Sequence, residues 1–360
     1  MQIVTPEFLK GKKVLLRYDI DVALGEGTHG MIQVTEDFKL KAGLPTLKLC
    51  LENASKVIII GHLGRPFKTV DDEKQGDPSE LSAKPIQEWF EQKLRLEVVF
   101  TETLEQAAAS TGKIVLLENI RFFHGEIPGA EYHVSCTSKT CDIDFAHQLA
   151  SLGEVYVNES FSAYNPAAST TMVPTLLPHA AGIHFAEEVK MLTEVRDNPK
   201  KPFVAIMGGA KVADKLPVIE VLAKKADAVL VGGKLAAEVK ELEVALTKNV
   251  MVGKLNEDGF DIAAETVESW SSLIRGAGMI VWNGPLGKFE DPKNIQSGKV
   301  ARMVLDSGAQ VIVGGGDTVS LLGNLGILGE FEKKGLVSVG GGAMLKFLAD
   351  GTLPTVEALR

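Results

Sequence analysis

In the second half of the chain, the residues that could bind a ligand or take part in catalysis are runs of glycine and the charged residues that follow them. The runs are Gly208-Gly209-Ala210, followed by Lys211 and Lys215; Gly314-Gly315-Gly316, followed by Asp317 and Thr318; and Gly340-Gly341-Gly342. Glycine lets a backbone approach a phosphate closely, and a following helix offers N–H groups and a positive dipole end. One such run is weak evidence, because a tight strand-to-helix turn also needs glycine. Together they predict a polyphosphate site with a carboxylate suited to Mg²⁺, and the lack of a GxxxxGK[ST] motif excludes a Walker loop.

Different charged residues stand at the ends of apolar runs in the first half. They are Asp19 and Asp21, His62 and Arg65, and Arg121. Arginine suits the bidentate capture of a carboxylate or a phosphate. Any single one of these residues fits a surface salt bridge better than a binding site. Their shared placement favours an anion site.

The elements that must position these residues are short strands alternating with helices. Continuously apolar, β-branched runs precede the charged or glycine-rich ends: VLLRYDIDV, VIIIGHLG, IVLLENIRF, VYVNESF, FVAIMGGA, AVLVGG, MIVWNGP, VIVGGGD and LVSVGGGA. Such runs are typical of strands buried on both faces of a parallel sheet, and helical patterns lie between them. We therefore predict an α/β fold with doubly wound parallel sheets, in which ligands bind beyond the carboxyl ends of the strands.

The length of 360 residues favours two domains. The charged helical stretch FAEEVKMLTEVRDNPKKP separates the half without glycine doublets from the half that has them. We place the first domain at 1–185 and the second at 186–345, with 346–360 packing back on the first. One continuous sheet with a surface helix is the alternative.

Composition narrows the class of protein. The formal net charge is −9 with 45% hydrophobic residues, which is ordinary for a folded protein and disfavours a generic nucleic-acid or acidic-membrane binder. Three cysteines do not make a disulfide scaffold, and the start of the sequence has no apolar signal core. We expect a cytoplasmic protein.

The motifs resemble those of phosphoglycerate kinases, in the family's order and over essentially the whole chain. The matching segments include RYDIDVAL, VTEDFKLKAGLPTL, GHLGRP, LLENIRF, GGAKVADK, WNGPLGKFE, GGGDT and SVGGGAMLKFL. The resemblance implies two Rossmann-like domains joined by a hinge helix, with a cleft that closes on both substrates. It also implies phosphoryl transfer between 1,3-bisphosphoglycerate and ADP, with Mg²⁺ and ATP/ADP as cofactors. The implied protein is a monomer with small-molecule substrates, and it binds neither nucleic acid nor membranes.

The resemblance also implies roles for individual residues. The implied phosphoglycerate site comprises Asp19, Ile20, Asp21, Lys39, His62, Leu63, Gly64, Arg65 and Arg121. The implied nucleotide site comprises Lys211, Lys215, Gly284, Glu290, Gly315, Gly316, Asp317, Thr318, Gly340 and Gly341. Lys39 and Lys211 are the implied catalytic residues, Asp317 the Mg²⁺ ligand and Glu290 the partner of the ribose.

The sequence departs from the family's pattern at the substrate site. Asp21 stands where the family has an asparagine, and Lys39 stands where it has an arginine. Asn165, Pro166 and Ala168 replace a His-Arg-x-His cluster, and no Lys or Arg occurs from 155 to 189. Losing one charged donor to a buried anion costs about 2–5 kcal/mol. The stretch 235–282 is also shorter than in the family. The resemblance implies that the residues absent from it form part of the adenine pocket wall.

These departures leave three hypotheses about function. The leading one is a divergent, shortened phosphoglycerate kinase. The second is a catalytically weak or inactive nucleotide-binding pseudokinase of the same fold. The third is a kinase for another small carboxylate, which the neutral edge at Asn165, Ser169 and Thr170 would accept.

Overall fold

A computed structural model of the chain describes residues 1–27, 30–66, 78–127, 141–209, 212–242, 246–291 and 293–360. This part of the chain divides into two compact units, residues 1–187 with 353–360 and residues 188–352. Within the described residues, no helix combines the length and the apolar character needed to cross a lipid bilayer.

The first unit is built on a parallel sheet. Its strands are β1 (Lys13–Arg17), β4 (Lys56–Ile60), β5 (Val99–Thr101), β6 (Ile114–Leu117), β7 (Val155–Asn158) and β8 (His179–Ala181), and a separate hairpin pairs β2 (Leu24–Glu26) with β3 (Ile32–Val34). The order across the sheet is β5-β6-β4-β1-β7-β8. Val14 of β1 is in register with Val57 on one side and Val155 on the other. These strands are apolar because helices cover both faces of a parallel sheet.

The helices of the first unit lie between these strands. They are α1 (Pro6–Leu9), α2 (Phe38–Ala42), α3 (Leu44–Asn53), α4 (Lys84–Leu94), α5 (Leu104–Ala109), α6 (Cys141–Ala150) and α7 (Val173–Leu176), with 3₁₀ turns at Pro78–Leu81 and Ile120–Phe122 and a π-helical turn at Ala168–Met172. Helix α4 shows why they form: Ile86, Trp89 and Phe90 follow the spacing of one helix face and are buried. Phe90 meets the ring of Tyr18 edge-on, with centroids 5.4 Å apart, next to the end of β1.

Helix α8 (Ile183–Asp197) carries the chain into the second unit. The strands there are β9 (Phe203–Met207), β10 (Ala228–Val231), β11 (Val250–Val252), β12 (Met279–Asn283), β13 (Gln310–Gly314) and β14 (Gly335–Ser338). The helices are α9 (Val212–Ala223), α10 (Gly233–Glu241), α11 (Ala264–Arg275), α12 (Gln296–Asp306), α13 (Gly316–Asn324), α14 (Leu328–Lys334) and α15 (Gly341–Asp350), after which α16 (Pro354–Glu357) belongs to the first unit.

The second sheet is also parallel, in the order β11-β10-β9-β12-β13-β14. The chain moves outward from β9 in one direction and then returns to β12 on its other side. Such a topological switch point leaves a crevice at the carboxyl ends of the two strands. The predicted fold class, α/β with doubly wound parallel sheets in two units, is confirmed. The segments 1–185, 186–345 and 346–360 stay predictions of domain boundaries.

Candidate active site

A cavity of about 560 Å³ opens in the first unit at the carboxyl ends of its strands. Arg17 ends β1, His62 and Arg65 follow β4, and Arg121 follows β6. The lining residues are Arg17, Asp21, His62, Gly64, Arg65, Pro66, Arg121, Glu126, Ile127, Ser162, Ala163, Tyr164, Asn165, Pro166, Ala167 and Thr170. The cavity therefore brings together four of the strand-end residues predicted from the sequence, Asp21, His62, Arg65 and Arg121.

Asn119 holds the loop after β4 against the loop after β6. Its side chain is fully buried; Oδ1 accepts from the N–H groups of Leu63 and Arg121, and Nδ2 donates to the Leu63 carbonyl at 2.7 Å. Arg121 Nη1 donates to the Gly64 carbonyl at 2.5 Å. Burial, and then the charge of Arg17, lower the pKa of Arg121. Asn119 thus places the arginine, and its role was not predicted from the sequence.

Lys39 lies beside the two aspartates that follow β1. Its Nζ is 3.7 Å from Asp19 Oδ1 and 3.6 Å from Asp21 Oδ2. Asp19 also accepts a hydrogen bond from the Ser162 hydroxyl, and Asp21 Oδ1 accepts one from the Gly64 N–H at 2.9 Å. Burial lowers the pKa of Lys39, but Asp19 and Asp21 outweigh that effect and raise it above its ordinary value. The ammonium that replaces the family's arginine is therefore charged and held by carboxylates.

The segment that replaces the expected basic cluster forms one wall of the cavity. Asn165, Pro166, Ala167 and Thr170 line it, while Ala168 is buried. This corner nevertheless contains a cation, because Arg17 lines the same cavity and donates from Nε to Ser169 Oγ at 3.1 Å. Arg17 was not predicted from the sequence as a site residue. An arginine that closes an otherwise apolar strand was the signal that could have identified it.

A second cavity, of about 250 Å³, lies at the switch point of the second sheet. Its lining residues are Gly209, Lys215, Asn283, Gly284, Gly315, Gly316, Asp317 and Thr318. The half-buried side chain of Lys215 donates to the Gly208 carbonyl. Helix α13 begins at Gly316, so the backbone N–H groups of its first turn lie at this cavity. Such a helix end with a lysine can bind the phosphates of a nucleotide.

Two glycines of this cavity could not carry side chains without strain. Gly284 has φ +90°, and a Cβ there would lie 2.3 Å from the Gly208 oxygen. Gly315, the N-cap of α13, has φ +100°. Thr318 Oγ1 accepts from the Gly284 N–H at 2.8 Å and so joins the loop after β12 to the start of α13. Close backbone approach, rather than side-chain volume, shapes this site.

Other predicted site residues lie elsewhere. The side chains of Ile20 and Leu63 are buried, and Ile20 belongs to the hydrophobic core of the first unit. Glu290 is exposed in a turn, and neither it nor Gly340 is among the residues that line the second cavity. The Gly341 carbonyl accepts from Asn283 Nδ2 at 3.5 Å, at the edge of that cavity. Lys211 lies outside the described residues.

Comparison with known proteins covers both units. The phosphoglycerate kinase family model matches residues 5–254 and 235–351. The chain belongs to the phosphoglycerate kinase family. The phosphoglycerate kinase of Solibacter usitatus is 36% identical over an alignment that covers 98% of this chain and 97% of that protein. The corresponding protein of Dictyoglomus turgidum is 33% identical, with the same coverage.

Solved structures of phosphoglycerate kinases have the same fold. That of Coxiella burnetii matches with a TM-score of 0.76 and 28% identity, covering 98% of this chain and 96% of that one. That of Pyrococcus horikoshii matches with a TM-score of 0.82, covering 100% of this chain and 98% of the other. Because its sequence identity is 23%, this match shows similarity of fold alone. The sequence-based assignment to the phosphoglycerate kinase family is confirmed.

The comparison also shows a shortened member of the phosphoglycerate kinase family. The alignment with the Solibacter protein spans 402 positions, whereas this chain has 360 residues. The two matches to the family model overlap at 235–254, inside the stretch 235–282 that the sequence predicts to be shortened.

Proposed function

We propose that this chain catalyses the reversible transfer of a phosphoryl group between 1,3-bisphosphoglycerate and ADP, which gives 3-phosphoglycerate and ATP. It is a phosphotransferase with a carboxyl group as acceptor. The observation that carries the proposal is that one chain of this family holds both an arginine-lined cavity at strand ends and a glycine-lined cavity at a switch point. The first suits an anionic carboxylic acid, and the second suits the phosphates of a nucleotide.

The first unit binds phosphoglycerate in this proposal. Arg65 and Arg121 line the cavity and present planar forks that match carboxylate and phosphate oxygens. The Lys39 ammonium adds a positive charge beside Asp21. Phosphoryl transfer depends mainly on positioning and charge neutralisation, and the acceptor oxygen is already ionised, so no general base is required.

The second unit binds the nucleotide. Lys215 and the first turn of α13 would hold the phosphates, since both line the cavity at the switch point. The Asp317 carboxylate lies on the same lining, and Mg²⁺ prefers one or two carboxylates together with phosphate oxygens. Asp317 would therefore hold Mg²⁺, which supplies charge neutralisation at the phosphates. Lys211 stays a proposed catalytic residue, and Glu290 a proposed partner of the ribose.

The proposed enzyme acts as a monomer in the cytoplasm. Each cavity lies at the strand ends of one unit, and its lining already supplies the charged groups that the proposal requires. Cys50 is a buried free thiol, a state that a reducing compartment preserves.

A coupled assay tests the proposal. The purified chain is given 1,3-bisphosphoglycerate and Mg-ADP, and ATP formation is followed beside the Lys215→Met variant and the matched control Lys224→Met, whose lysine is exposed just beyond α9. We expect turnover in the parent and the control and a loss of about a hundredfold or more in the Lys215 variant. If the parent forms ATP no faster than the Lys215→Met variant does, the proposal is overturned. Calorimetry with 3-phosphoglycerate measures substrate binding independently of turnover.

A further inference from the structure

The Arg17 guanidinium is fixed from several sides beneath the substrate cavity. The residue is 1% exposed. Its Nη1 donates to the Tyr18 carbonyl at 2.8 Å, and its Nε donates to Ser169 Oγ at 3.1 Å. The planar fork therefore has a set direction, which aims its remaining nitrogen at the imidazole of His62.

The contact between Arg17 and His62 determines where the imidazole carries its proton. Arg17 Nη2 lies 2.7 Å from His62 Nδ1. A guanidinium has donors and no acceptor, so Nδ1 must accept and the ring N–H must be at Nε2. His62 lines the cavity, and its Nε2 is 3.9 Å from Asp21 Oδ2. The imidazole is thus a donor on the side away from Arg17.

The charges around His62 disfavour a second proton on the ring. Burial and then Arg17 hold the pKa of His62 well below its ordinary value, with further contributions from Arg121, Lys39 and Arg65. Asp21, at 3.9 Å from Nε2, is the anion that faces the ring from the loop after β1. The cations outweigh it, so the imidazole stays neutral through physiological pH.

Arg17 is itself anchored by the segment that replaces the family's basic cluster. Ser169 Oγ accepts from Arg17 and donates to Glu126 Oε1 at 2.7 Å, while Glu126 Oε2 accepts from the Ser169 N–H at 3.0 Å. Glu126 is 2% exposed. Ser169 belongs to the π-helical turn 168–172, a local geometry that occurs frequently at functional sites.

We propose that Arg17 is a positioning residue, which holds His62 as a neutral imidazole protonated at Nε2 so that this N–H donates to an oxygen of phosphoglycerate. The last clause rests on the proposed function, whereas the relation between Arg17 and His62 does not. The substrate site thereby gains a donor whose strength does not change between pH 6 and 8. Glu126 and Ser169 act through Arg17 and belong to the same chain of contacts.

Nitrogen NMR of ¹⁵N-histidine-labelled protein without substrate tests the tautomer directly. The His62 signals are assigned by their loss in His62→Gln. We expect a neutral ring with its proton on Nε2 from pH 8 down to about pH 6, below the ordinary range near 6.5. A ring protonated at Nδ1, or one that titrates near 6.5, would overturn the proposal.

Kinetics separate positioning from a merely structural role. The KM for 3-phosphoglycerate is measured from pH 6 to 8 in the parent, Arg17→Met, Arg17→Lys and the control Arg275→Met, whose arginine is exposed on α11. We expect the ratio of the KM of Arg17→Met to that of the parent to change with pH, because His62 then titrates, and to be partly restored in Arg17→Lys. Titration of the substrate cancels in this ratio. A ratio that is independent of pH would overturn the proposal.

A milder variant keeps the test informative if Arg17→Met does not fold. Ser169→Ala retains the arginine but removes one anchor of its guanidinium, which is then no longer held in its direction towards His62. We expect the pKa of His62 to rise in this variant, and an unchanged titration would contradict the proposal. If the parent fails to bind 3-phosphoglycerate, the proposed function fails, and the substrate-free spectra still decide the role of Arg17.

Discussion

Lys39 Nζ lies 3.6 Å from Asp21 Oδ2, so the lysine and the aspartate that replace the family's arginine and asparagine are ion-pair partners. Because the two departures meet in space, they are best understood as one change. The lysine keeps a positive charge near the proposed substrate site, and the aspartate neutralises part of that charge. Their joint effect is a weaker local field than an arginine beside a neutral amide would create.

Asp21→Asn should therefore improve substrate binding. We expect the KM for 3-phosphoglycerate to fall about three- to tenfold, because an exposed ion-pair partner is removed and an acceptor-only group beside an anion becomes a donor. Steady-state kinetics measure this, with Glu97→Gln, an exposed carboxylate elsewhere, as the charge-matched control. The change in KM caused by Asp21→Asn should differ when Lys39 is also replaced by Met, because the effects of substitutions at residues in contact are not additive. A rise in KM would contradict the expectation.

Arg121→Lys should weaken phosphoglycerate binding selectively. The lysine keeps the charge but loses the fork and the bond to the Gly64 carbonyl. We expect the KM for 3-phosphoglycerate to rise about tenfold or more, with the KM for ADP unchanged. The control is Arg95→Lys, at an exposed position beyond α4. Equal effects on both substrates would argue for general distortion instead.

Asp317→Asn should change the dependence on Mg²⁺. The amide cannot supply the charged oxygen that this ion prefers. We expect the Mg²⁺ concentration for half-maximal activity to rise about tenfold, while 3-phosphoglycerate binding is preserved. Titration of activity with Mg²⁺ measures this, beside Glu330→Gln on α14. An unchanged Mg²⁺ dependence would remove Asp317 as the ligand.

Alanine at Gly315, the N-cap of α13, and at Gly323 inside that helix should have opposite effects. Gly315→Ala forces a side chain onto a backbone with φ +100°, which should lower the free energy of unfolding by about 1–3 kcal/mol and weaken ADP binding. Gly323→Ala lies inside the same helix with nothing within 4 Å of the added Cβ, and should stabilise by about 0.5–1 kcal/mol. Denaturant unfolding and ADP calorimetry measure both. If both substitutions destabilise the protein equally, the left-handed backbone is not the cause.

Glu159 should make the stability of the protein depend on pH. The carboxylate accepts from the His184 N–H at 3.1 Å and the Phe185 N–H at 3.3 Å in the first turn of α8. Burial nevertheless raises its pKa to about 7 from 4.5, although the charge of His184 and these bonds lower it. The folded state thus takes up a proton that the unfolded state lacks between pH 4.5 and 7.

The free energy of unfolding should therefore fall as pH rises through that window. The loss from this group reaches about 3 kcal/mol by pH 8.5, at roughly 1.4 kcal/mol per pKa unit. In Glu159→Gln this contribution is absent, so the free energy of unfolding of the parent should fall relative to that of the variant from pH 5 to pH 8.5. Urea unfolding at several pH values measures it, with Glu97→Gln as the control. A constant difference would show that Glu159 is ionised throughout.

The parallel sheets could be predicted because their central strands are uniformly apolar. The apolar composition of the runs that contain Val14, Val57 and Val155 is enough to predict them as strands. The edge strands β5, β8 and β11 have three residues each, and only the neighbouring strand defines them. The hairpin of β2 and β3 was missed for the same reason.

The site could be predicted in part because parallel strands end at the same edge. That rule alone places His62, Arg65 and Arg121 together. It does not foresee Arg17, which reads as a strand residue and whose direction depends on Ser169, 152 positions away. Nor does it foresee that Lys39 contacts both Asp19 and Asp21, because the geometry of a loop beyond a strand depends on its tertiary contacts.

Residues 353–360 belong to the first unit although all of residues 188–352 precede them. Their helix α16 contacts the π-helical turn 168–172, which carries Ser169, and Val356 and Leu359 are buried. During synthesis on the ribosome, residues 353–360 of the first unit are therefore made only after the whole of the second unit. The wall that anchors Arg17 is completed only then, so a nascent chain can assemble the glycine-lined cavity of the second unit before the arginine-lined cavity is finished.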